Sequence, residues 1–318
     1  MKILIVQLGR IGDMILATPM FRAVREKYPD AEIHVLAGKH NFFVINNNPR
    51  IDKIYIHKKN PFNIIKNILA LKKEKYDYWL DAKDHYSNES KIFAKWSNAI
   101  TKVGFNRSGK KVFDISIPSN DENKNLHFVQ RLFNALIPLG IKCPEETPKP
   151  ELFVSPDSEN YVNVYFETLP LKPIILINIS SGSPDRMWEN ENWSKVIEVI
   201  DEEKYNIILL DSGTDEALIQ DLSAKTNKMK IFKSRSITDA FSIIKRAKLL
   251  LTVDTSIVHI ASAFNIPQIA LYVNLEEFYK KFHPLSDVDK PILSEKGGNS
   301  IKNIKADEVI SALKNMFS

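Results

Sequence analysis

The sequence predicts an α/β protein built from two doubly wound parallel sheets, one in each half of the chain. Short apolar, β-rich runs alternate with amphipathic helical stretches, which is typical of βα units and parallel sheets. A proline-rich stretch from Pro144 to Pro156 separates two such series. The run 174–179 is apolar throughout, as expected for a strand buried on both faces. A chain of 318 residues is long enough for two domains, which we place at 1–155 and 156–318.

The elements follow in order along each half. In the first half we expect strands at 2–8, 31–37, 51–56, 76–81, 101–104 and 112–117, and helices at 13–27, 61–74, 88–98 and 124–138. In the second half we expect strands at 174–179, 206–211, 229–232, 248–253 and 267–273, and helices at 192–203, 214–225, 237–246, 256–264 and 305–317. Doubly wound sheets bind ligands beyond the carboxyl ends of their strands, so two such sheets facing each other would leave a ligand cleft.

Composition excludes several classes of protein. The longest apolar runs are far shorter than the roughly 20 residues of a membrane helix, and the N-terminus lacks a signal-peptide core. The single cysteine, Cys143, excludes internal disulfides and multi-cysteine metal sites. Residues 50–111 carry 15 Lys and Arg against 6 Asp and Glu, which favours an anionic partner or a solvated lysine face. Since no nucleic-acid module accompanies this charge, we expect no nucleic-acid partner.

The first loop of interest, Gly9 to Asp13, directly follows the first strand. It lacks the G-x-G-x-x-G pattern of dinucleotide sites. Asp13 either caps the following helix or accepts a proton at the mouth of the cleft. Pro19 predicts that this helix begins irregularly or is kinked.

Two further loops follow strands of the second half. Ser180, Ser181 and Gly182 let backbone N–H groups approach an anion, and Arg186 can bind phosphate oxygens. The loop lacks the G-K-[ST] ending of a triphosphate-binding loop. Further on, Asp254 ends a strand, Thr255 or Ser256 caps a helix, and His259 lies in its first turn.

A D-x-D pair, Asp287 and Asp289, has the spacing of a metal site. It lies in an apparent loop after Pro284, so we interpret it as surface and expect no metal site.

These loops share a resemblance. The segments GRIGDMILATPMFRAVREKYPDAEIHVL, YDYWLDAKDHYSNES, SSGSPDRMWENENW and VDTSIVHIASAFNIPQIALY resemble glycosyltransferase family 9, the heptosyltransferases. These inverting enzymes build the inner core of bacterial lipopolysaccharide. The resemblance implies a GT-B fold of two Rossmann-like domains, an N-terminal one for the acceptor and a C-terminal one for the nucleotide-sugar. It also implies a final helix that packs back on the first domain.

The resemblance also assigns roles by position. Asp13 matches the family's catalytic base, and Arg186 stands where members carry a basic residue that contacts the donor diphosphate. Ser180 and Ser181 match hydroxyl residues near those phosphates. The remaining donor-site matches are Glu216 at the ribose and Asp254, Thr255 and His259 in a D-T-G-x-x-H motif.

The chain departs from the family pattern at three places. Ser256 replaces a glycine, Lys83 stands where members often carry glutamine, and Val273-Asn274-Leu275 replaces a G-P-T segment near the donor. We expect acceptor contacts from lysines and arginines of the basic region: Lys58, Lys59, Lys83, Arg107, Lys110 and Lys111.

The predicted activity is metal-independent transfer of a sugar, heptose from ADP-heptose by resemblance, to an anionic lipopolysaccharide or lipooligosaccharide core acceptor. No cofactor is expected beyond the nucleotide-sugar itself. The predicted location is the cytoplasm, with peripheral association at the inner face of the cytoplasmic membrane. Two alternatives remain open: another GT-B enzyme, such as a transferase of a different sugar into a surface polysaccharide or a nucleotide-sugar 2-epimerase, and a non-catalytic sugar-nucleotide or glycolipid binding protein.

Overall fold

The structure, a computed structural model, describes residues 1–83, 85–107, 109 and 111–317. It divides into two compact units. The first comprises Met1–Glu151 with Lys280–Phe282, and the second comprises Leu152–Tyr279 with His283–Ser318. The predicted boundary at 155/156 falls just after Glu151, within the segment that opens the second unit.

The first unit is a six-stranded parallel sheet with helices on both faces. Its elements are β1 (Lys2–Gln7), α1 (Ile11–Lys27), β2 (Glu32–Gly38), β3 (Lys53–His57), α2 (Pro61–Lys73), β4 (Tyr78–Asp81), α3 (Asn88–Trp96), β5 (Thr101–Gly104), β6 (Ile115–Ser116) and α4 (Phe128–Phe133). The strand order is β3-β2-β1-β4-β5-β6. Leu4 and Val6 pack against α2 and α3, whereas Ile3 and Ile5, on the other face by alternation, are also fully buried.

The second unit repeats this architecture. Its elements are α5 (Pro156–Glu167), β7 (Ile174–Asn178), α6 (Asn190–Glu198), β8 (Asn206–Asp211), α7 (Glu216–Lys225), β9 (Met229–Lys233), α8 (Ile237–Ile244), β10 (Leu249–Val253), α9 (Ser256–Ala263), β11 (Gln268–Tyr272), α10 (Glu276–Phe282), β12 (Asp289–Leu293) and α11 (Ala306–Phe317). The last three residues of α10, Lys280–Phe282, belong to the first unit. The strand order is β12-β11-β10-β7-β8-β9. Renumbered within the unit, this is the same 3-2-1-4-5-6 order as in the first unit, which is the Rossmann order. The predicted fold class, two parallel-sheet Rossmann-like domains, is confirmed.

Helix α1 corrects the prediction about Pro19. The helix begins at Ile11, before Asp13, and runs through Pro19 to Lys27. Proline has no N–H, so the carbonyl of Ile15 loses its helical donor. The hydroxyl of Thr18 donates to that carbonyl at 2.7 Å and accepts from the N–H of Glu151 at 2.9 Å. A neighbouring side chain therefore compensates for the proline, and the same hydroxyl holds Glu151, the end of the main segment of the first unit.

Other differences lie where prolines or short runs weaken the pattern. The predicted strand 112–117 is only Ile115–Ser116, and the predicted helix 124–138 becomes α4 followed by a 3-10 helix, Asn134–Leu139, that contains Pro138. The structure adds α5, α10 and β12, which the sequence analysis did not predict. Val309 and Leu313 of the last helix are buried in the core of the second unit, and the packing of this helix on the first domain stays a prediction. Among the described residues, no helix is long and apolar enough to span a membrane.

Candidate active-site loops

In the first unit the strand order reverses between β1 and β4, which are hydrogen-bonded neighbours with connections running in opposite directions. Ligands of open α/β sheets bind beyond the carboxyl ends of the strands at such a switch point. The loop that carries Asp13 follows β1, and the segment that carries Lys83 follows β4. Both predicted residues therefore lie at the expected ligand-binding edge of the first sheet.

Asp13 lies in the first turn of α1 and folds back onto the preceding loop. Its Oδ2 accepts the backbone N–H of Arg10 at 2.7 Å. A Cβ at Gly9 would lie 2.3 Å from this same oxygen, so only glycine leaves room for the carboxylate. Within the described residues, Oδ1 of Asp13 has no hydrogen-bond partner. One oxygen thus fixes the orientation of the carboxylate, and the other remains available to a substrate.

Two buried amides hold this loop in place. The Asn41 side chain donates to the carbonyls of Gln7 and Gly9, at 3.1 and 2.9 Å. The Gln7 side chain accepts the N–H of Gly9 and donates to the carbonyl of Ala82 at 3.2 Å. The loops after β1 and β4 are therefore joined through Gln7, and Asp13 is positioned before any substrate arrives.

The electrostatic environment of Asp13 suits a general base. Burial raises the pKa of its carboxyl, and the Arg10 amide and the positive charges of Lys83 and Lys281 oppose that rise. A carboxylate with a raised pKa is a stronger base, while the nearby cations favour its ionised form. The arrangement can accept a proton from a bound hydroxyl group.

Asp81 is a functional candidate that the sequence analysis missed. It ends β4, is almost fully buried, and its Oδ2 accepts from the Ser90 hydroxyl. Its Oδ1 is buried with no partner within the described residues, and burial raises its pKa to about 6. An acidic residue at the end of an otherwise apolar strand was the available signal. Lys83, two residues on, acts electrostatically on both Asp81 and Asp13.

The other predicted acceptor residues lie at separate places. Lys58 and Lys59 are exposed just before α2, and Lys59 forms an ion pair with Glu89 at 2.8 Å. The Arg107 guanidinium lies 5.9 Å from the centre of the Tyr86 ring. Lys111 is exposed, and Lys110 lies outside the described residues. Of this set, Lys83 is the residue whose charge acts on Asp13.

The second unit reverses its strand order between β7 and β10, and the two predicted donor loops follow these two strands. The Ser180 hydroxyl is buried and, within the described part of the chain, has no hydrogen-bond partner. The Ser181 hydroxyl accepts the N–H of Ser183 at 3.2 Å and so shapes the turn. An unpaired buried hydroxyl is costly, and a bound polar ligand would satisfy it.

The structure brings Arg186 and Asp254 together across these loops. Nη1 of Arg186 lies 3.1 Å from Oδ2 of Asp254 and 3.4 Å from its backbone carbonyl. The guanidinium also lies 4.8 Å from the centre of the Phe278 ring on α10. Arg186 is partly exposed, so these contacts aim the cation while leaving donors for an anion. Phe278, which lies in the segment after the missing G-P-T, was not predicted.

The loop after β10 provides the start of a helix. Thr255 caps α9 by accepting the N–H of Ile257 at 3.2 Å, as predicted. Burial raises the pKa of Asp254 to about 6, an effect that Arg186 opposes. His259 is buried in the first turn of α9, and burial lowers its pKa to about 4, so the imidazole is neutral at pH 7. The positive end of the helix dipole adds to Arg186 at this edge.

Glu216 also lies at this edge of the second sheet. It opens α7, the helix after β8, and β8 is the neighbour of β7. The side chain is exposed, and its Oε1 accepts from Gln220 at 3.3 Å. The role of Glu216 at a ribose stays a prediction.

The prediction that the D-x-D pair lies in a loop is wrong for Asp289, which belongs to a strand. Asp287 accepts from the Asn265 side chain at 2.7 Å, and Asp289 begins the edge strand β12 opposite Gln268. Elsewhere among the described residues, Glu32, His34 and Glu74 have ligand atoms within 4.8 Å of one another. Lys2 forms ion pairs with both of these glutamates and Lys53 forms one with Glu74, so two lysines already balance the two carboxylates.

Comparison with known proteins identifies the family. Residues 64–308 match the family model for glycosyltransferase family 9 (heptosyltransferase). Lipopolysaccharide heptosyltransferase 3 of Escherichia coli K12 is 26% identical over 280 residues, which cover 82% of this chain and 79% of that protein.

Solved structures agree on the fold. A glycosyltransferase family 9 structure from Veillonella parvula superposes with a TM-score of 0.82 at 17% identity, covering 99% of this chain and 96% of that one. A heptosyltransferase from Escherichia coli solved with ADP gives a TM-score of 0.79 at 15% identity, covering 99% of this chain and 100% of that one. Since the family model spans most of the sequence, the chain belongs to glycosyltransferase family 9 and is a glycosyltransferase.

Proposed function

We propose that this protein transfers heptose from ADP-heptose to an anionic core acceptor of lipopolysaccharide or lipooligosaccharide. One observation supports the proposal above all. At the carboxyl ends of the strands where each sheet reverses its order, the first unit has a preorganised carboxylate, Asp13, and the second has a loop with a cation, Arg186, and a hydroxyl, Ser180, that is unpaired among the described residues. The family match supplies the reaction class. The relative from Escherichia coli named above supports the lipopolysaccharide acceptor, and the structure solved with ADP supports the nucleotide.

Asp13 is the proposed general base. The acceptor hydroxyl attacks the anomeric carbon, its proton passes to Oδ1 of Asp13, and the bond from that carbon to the diphosphate breaks. Such proton transfer typically contributes about 10²–10⁴-fold to the rate. Oδ2 stays bound to the Arg10 amide, so the base keeps its orientation during the transfer.

The second unit is proposed to hold the donor and stabilise the leaving group. Negative charge grows on the diphosphate as the bond breaks, and fixed donors at that place lower the barrier. Arg186, the Ser180 hydroxyl, the Ser181 segment and the start of α9 after Thr255 provide such donors. Asp254 and the neutral His259 line the same edge, and Glu216 is proposed to bind the ribose.

The acceptor is proposed to bind the first unit, through Lys83 beside Asp13 and through Lys58, Lys59, Arg107, Lys110 and Lys111 of the basic region. Phosphates or acidic sugars of a core glycolipid complement these charges. The acceptor is a lipid, so the protein would work at the cytoplasmic face of the inner membrane as a peripheral protein.

The experiment is to incubate the protein with ADP-, GDP- and UDP-sugars, with and without a core acceptor, and to measure nucleotide release. We expect release from ADP-heptose that depends on the acceptor. Acceptor-independent release or recovery of an epimerised sugar would instead support an epimerase, and absence of turnover with every donor would support a binding protein. Because Arg186 and the α9 terminus supply the positive charge, EDTA should leave transfer unchanged. Loss of activity that magnesium restores would contradict this part.

A further inference from the structure

The outward faces of α2 and α3 expose large apolar side chains. On α2, Phe62, Ile65 and Leu69 follow the spacing of one helical face, and on α3 Ile92 and Trp96 are one turn apart. Each is between 43% and 80% exposed, and we call these five residues the apolar α2–α3 surface. Single exposed apolar residues are common, but a group on neighbouring helices marks an interaction site.

These residues are not a poorly packed core. Ile64, Ile68 and Leu71 form the inner face of α2, and Phe93 and Ala94 form that of α3. Both inner faces pack on the same side of the first sheet. The inner faces of the two helices therefore already supply the apolar contacts with the core, and the outer apolar side chains take no part in those contacts.

The two helices lie side by side. Near their first turns, Lys59 forms an ion pair with Glu89 at 2.8 Å. Near their last turns, the Asn98 side chain donates to the carbonyl of Lys72 at 3.3 Å. Contacts at both ends place the two exposed stripes next to each other, as parts of one surface of the first unit.

Charge around this surface points to the kind of partner. The segment Pro61–Lys73 contains three lysines and no acidic residue. Further exposed lysines flank the surface: Lys58, Lys59, Lys75 and Lys95. Anionic lipid headgroups attract such lysines, while the apolar side chains and a tryptophan enter the interfacial layer.

The cationic residues around this surface are lysines rather than arginines, which favours a bilayer over a protein as the partner. Between Arg50 and Arg107 the chain has lysines but no arginine. Protein–protein interfaces are enriched in arginine and depleted in lysine, whereas lysine stems extend along apolar surface and place the ammonium at the membrane–water boundary.

We propose that the apolar α2–α3 surface, with its flanking lysines, docks the protein on an anionic lipid bilayer. The helices begin after β3 and β4, at the carboxyl edge where Asp13 and Lys83 lie. Docking would therefore present this edge to an acceptor that is itself anchored in the bilayer. The proposal rests on the proposed function only for the lipid nature of the acceptor, because the surface is argued from its own side chains.

The test is co-sedimentation of the full chain with vesicles of phosphatidylcholine, with and without phosphatidylglycerol. We expect binding only to the anionic vesicles. The triple variant F62S, I65S, L69S should bind at least about tenfold more weakly, since it lacks three apolar side chains that would enter the bilayer. Glutamine at 66, 72 and 73 (K66Q, K72Q, K73Q) should weaken binding about fivefold for each lysine at low salt.

A matched control removes exposed apolar residues of the second unit, with V164S, L171S and I231S. This control should bind vesicles like the parent. All substituted side chains are exposed, and an unchanged thermal midpoint would show that each variant is folded. Failure of the parent to bind anionic vesicles, or an equal loss in the control, would overturn the proposal.

Trp96 offers a second measurement without any substitution. It is 55% exposed, whereas Trp79, Trp188 and Trp193 are buried. Brominated lipids should therefore quench the fluorescence of Trp96 on docking, and unchanged fluorescence with bound vesicles would contradict the assigned face. A concentration-dependent dimer that the F62S, I65S, L69S variant loses would assign the surface to a second copy and overturn the proposal.

Transfer to a lipid-free core oligosaccharide separates this proposal from the proposed function. The F62S, I65S, L69S variant should keep the parent rate on that acceptor if docking is the only property lost. Vesicle binding without transfer by the parent would refute the proposed function and leave the docking surface standing.

Discussion

The two units share one strand order but differ in the chemistry of their switch points. In the first, the helix after the leading strand presents a carboxylate, Asp13, and the segment after the neighbouring strand contributes Lys83. In the second, the equivalent loops present Arg186 and the N-terminus of α9, with Asp254 holding the arginine. The same backbone therefore supports the proposed proton acceptor at one edge and the proposed anion site at the other. Fold alone does not set the function of either edge.

The units also differ in how their key side chain is restrained. Asp13 is held locally, because its partner Arg10 is three residues away and Gly9 lies beside it. Arg186 is held by Asp254 and by Phe278, which lie far along the sequence. The proposed base depends on one short loop, whereas the proposed anion site depends on the assembly of the whole second sheet.

The largest expected effect comes from removing the base. Asp13→Asn keeps the size and the hydrogen bond to Arg10 but removes basicity, so kcat should fall about 10²–10⁴-fold with donor affinity little changed. Steady-state kinetics and nucleotide titration measure the two quantities. Asp30→Asn, an exposed acid just after the same helix, is the control and should behave like the parent. A drop in kcat of less than about fivefold would make Asp13 a helix cap only.

A smaller effect is expected in the second unit. Arg186→Ala removes a charge-assisted contact worth ~1.5–3 kcal/mol, so nucleotide affinity and kcat/KM should fall about 10- to 150-fold. Arg186→Lys should recover part of the loss, because it keeps the charge without the fork geometry. Lys204→Ala, at an exposed lysine of the same unit, serves as the control. Unchanged nucleotide affinity in the alanine variant would remove Arg186 from the donor site.

Substitutions in the basic region test whether the first unit binds the acceptor. Replacing Lys58 and Lys59 by glutamine should raise acceptor KM several-fold and flatten its dependence on salt, because screening shortens to about 3 Å at 1 M. Turnover at saturating acceptor should stay near that of the parent. Acceptor KM measured at several salt concentrations decides the matter. Parallel salt curves for both proteins would show that this lysine pair only faces solvent.

The smallest expected effect is a shift in pH dependence. A base works when deprotonated, so activity rises with pH as Asp13 loses its proton. Lys83 lowers the pKa of Asp13, and Lys83→Met should therefore raise that pKa and move the acid limb of kcat/KM to higher pH. Lys83→Arg should leave the limb in place. A limb that moves to lower pH, or not at all, would show that Lys83 does not act on Asp13.

Much of the fold could be predicted from the sequence, because apolar strands and amphipathic helices alternate regularly in both units. Strands such as Ile174–Asn178 and Leu249–Val253 are short apolar runs bounded by polar loops, and helices fill the intervals. The family, the fold class and the glycosyltransferase class were predicted correctly. The predicted site loops follow strands at the two points where the strand order reverses, and residues at strand ends can be located from the sequence. The roles of Asp13 and Arg186 themselves stay predictions.

The missed elements have identifiable causes. Helix α5 begins with Ser155 as its cap and Pro156 at its first turn, a helix-start signal that was interpreted as part of a linker. Strand β12 contains Pro291, which is tolerated because β12 is an edge strand. The final helix itself was predicted at 305–317, and its buried Val309 and Leu313 complete the core of the second unit.

The long-range contacts could not be predicted from local patterns. Arg186 and Asp254 were both selected as donor residues, but their ion pair joins loops that only the sheet order brings together. The same holds for the Gln7 side chain that links the loops after β1 and β4. Pairwise geometry of this kind depends on the tertiary fold and leaves no periodic trace in the sequence.

The division of labour between the two units is tested most directly by titrating the donor's nucleotide diphosphate into the parent, Asp13→Asn and Arg186→Ala by calorimetry, beside single-turnover rates. We expect Asp13→Asn to bind the nucleotide like the parent while its single-turnover rate falls about 10²–10⁴-fold. Arg186→Ala should lose about 10- to 150-fold in nucleotide affinity. Equal losses of nucleotide affinity in both variants would contradict the account, because the base and the anion site would then not be separable functions of the two units.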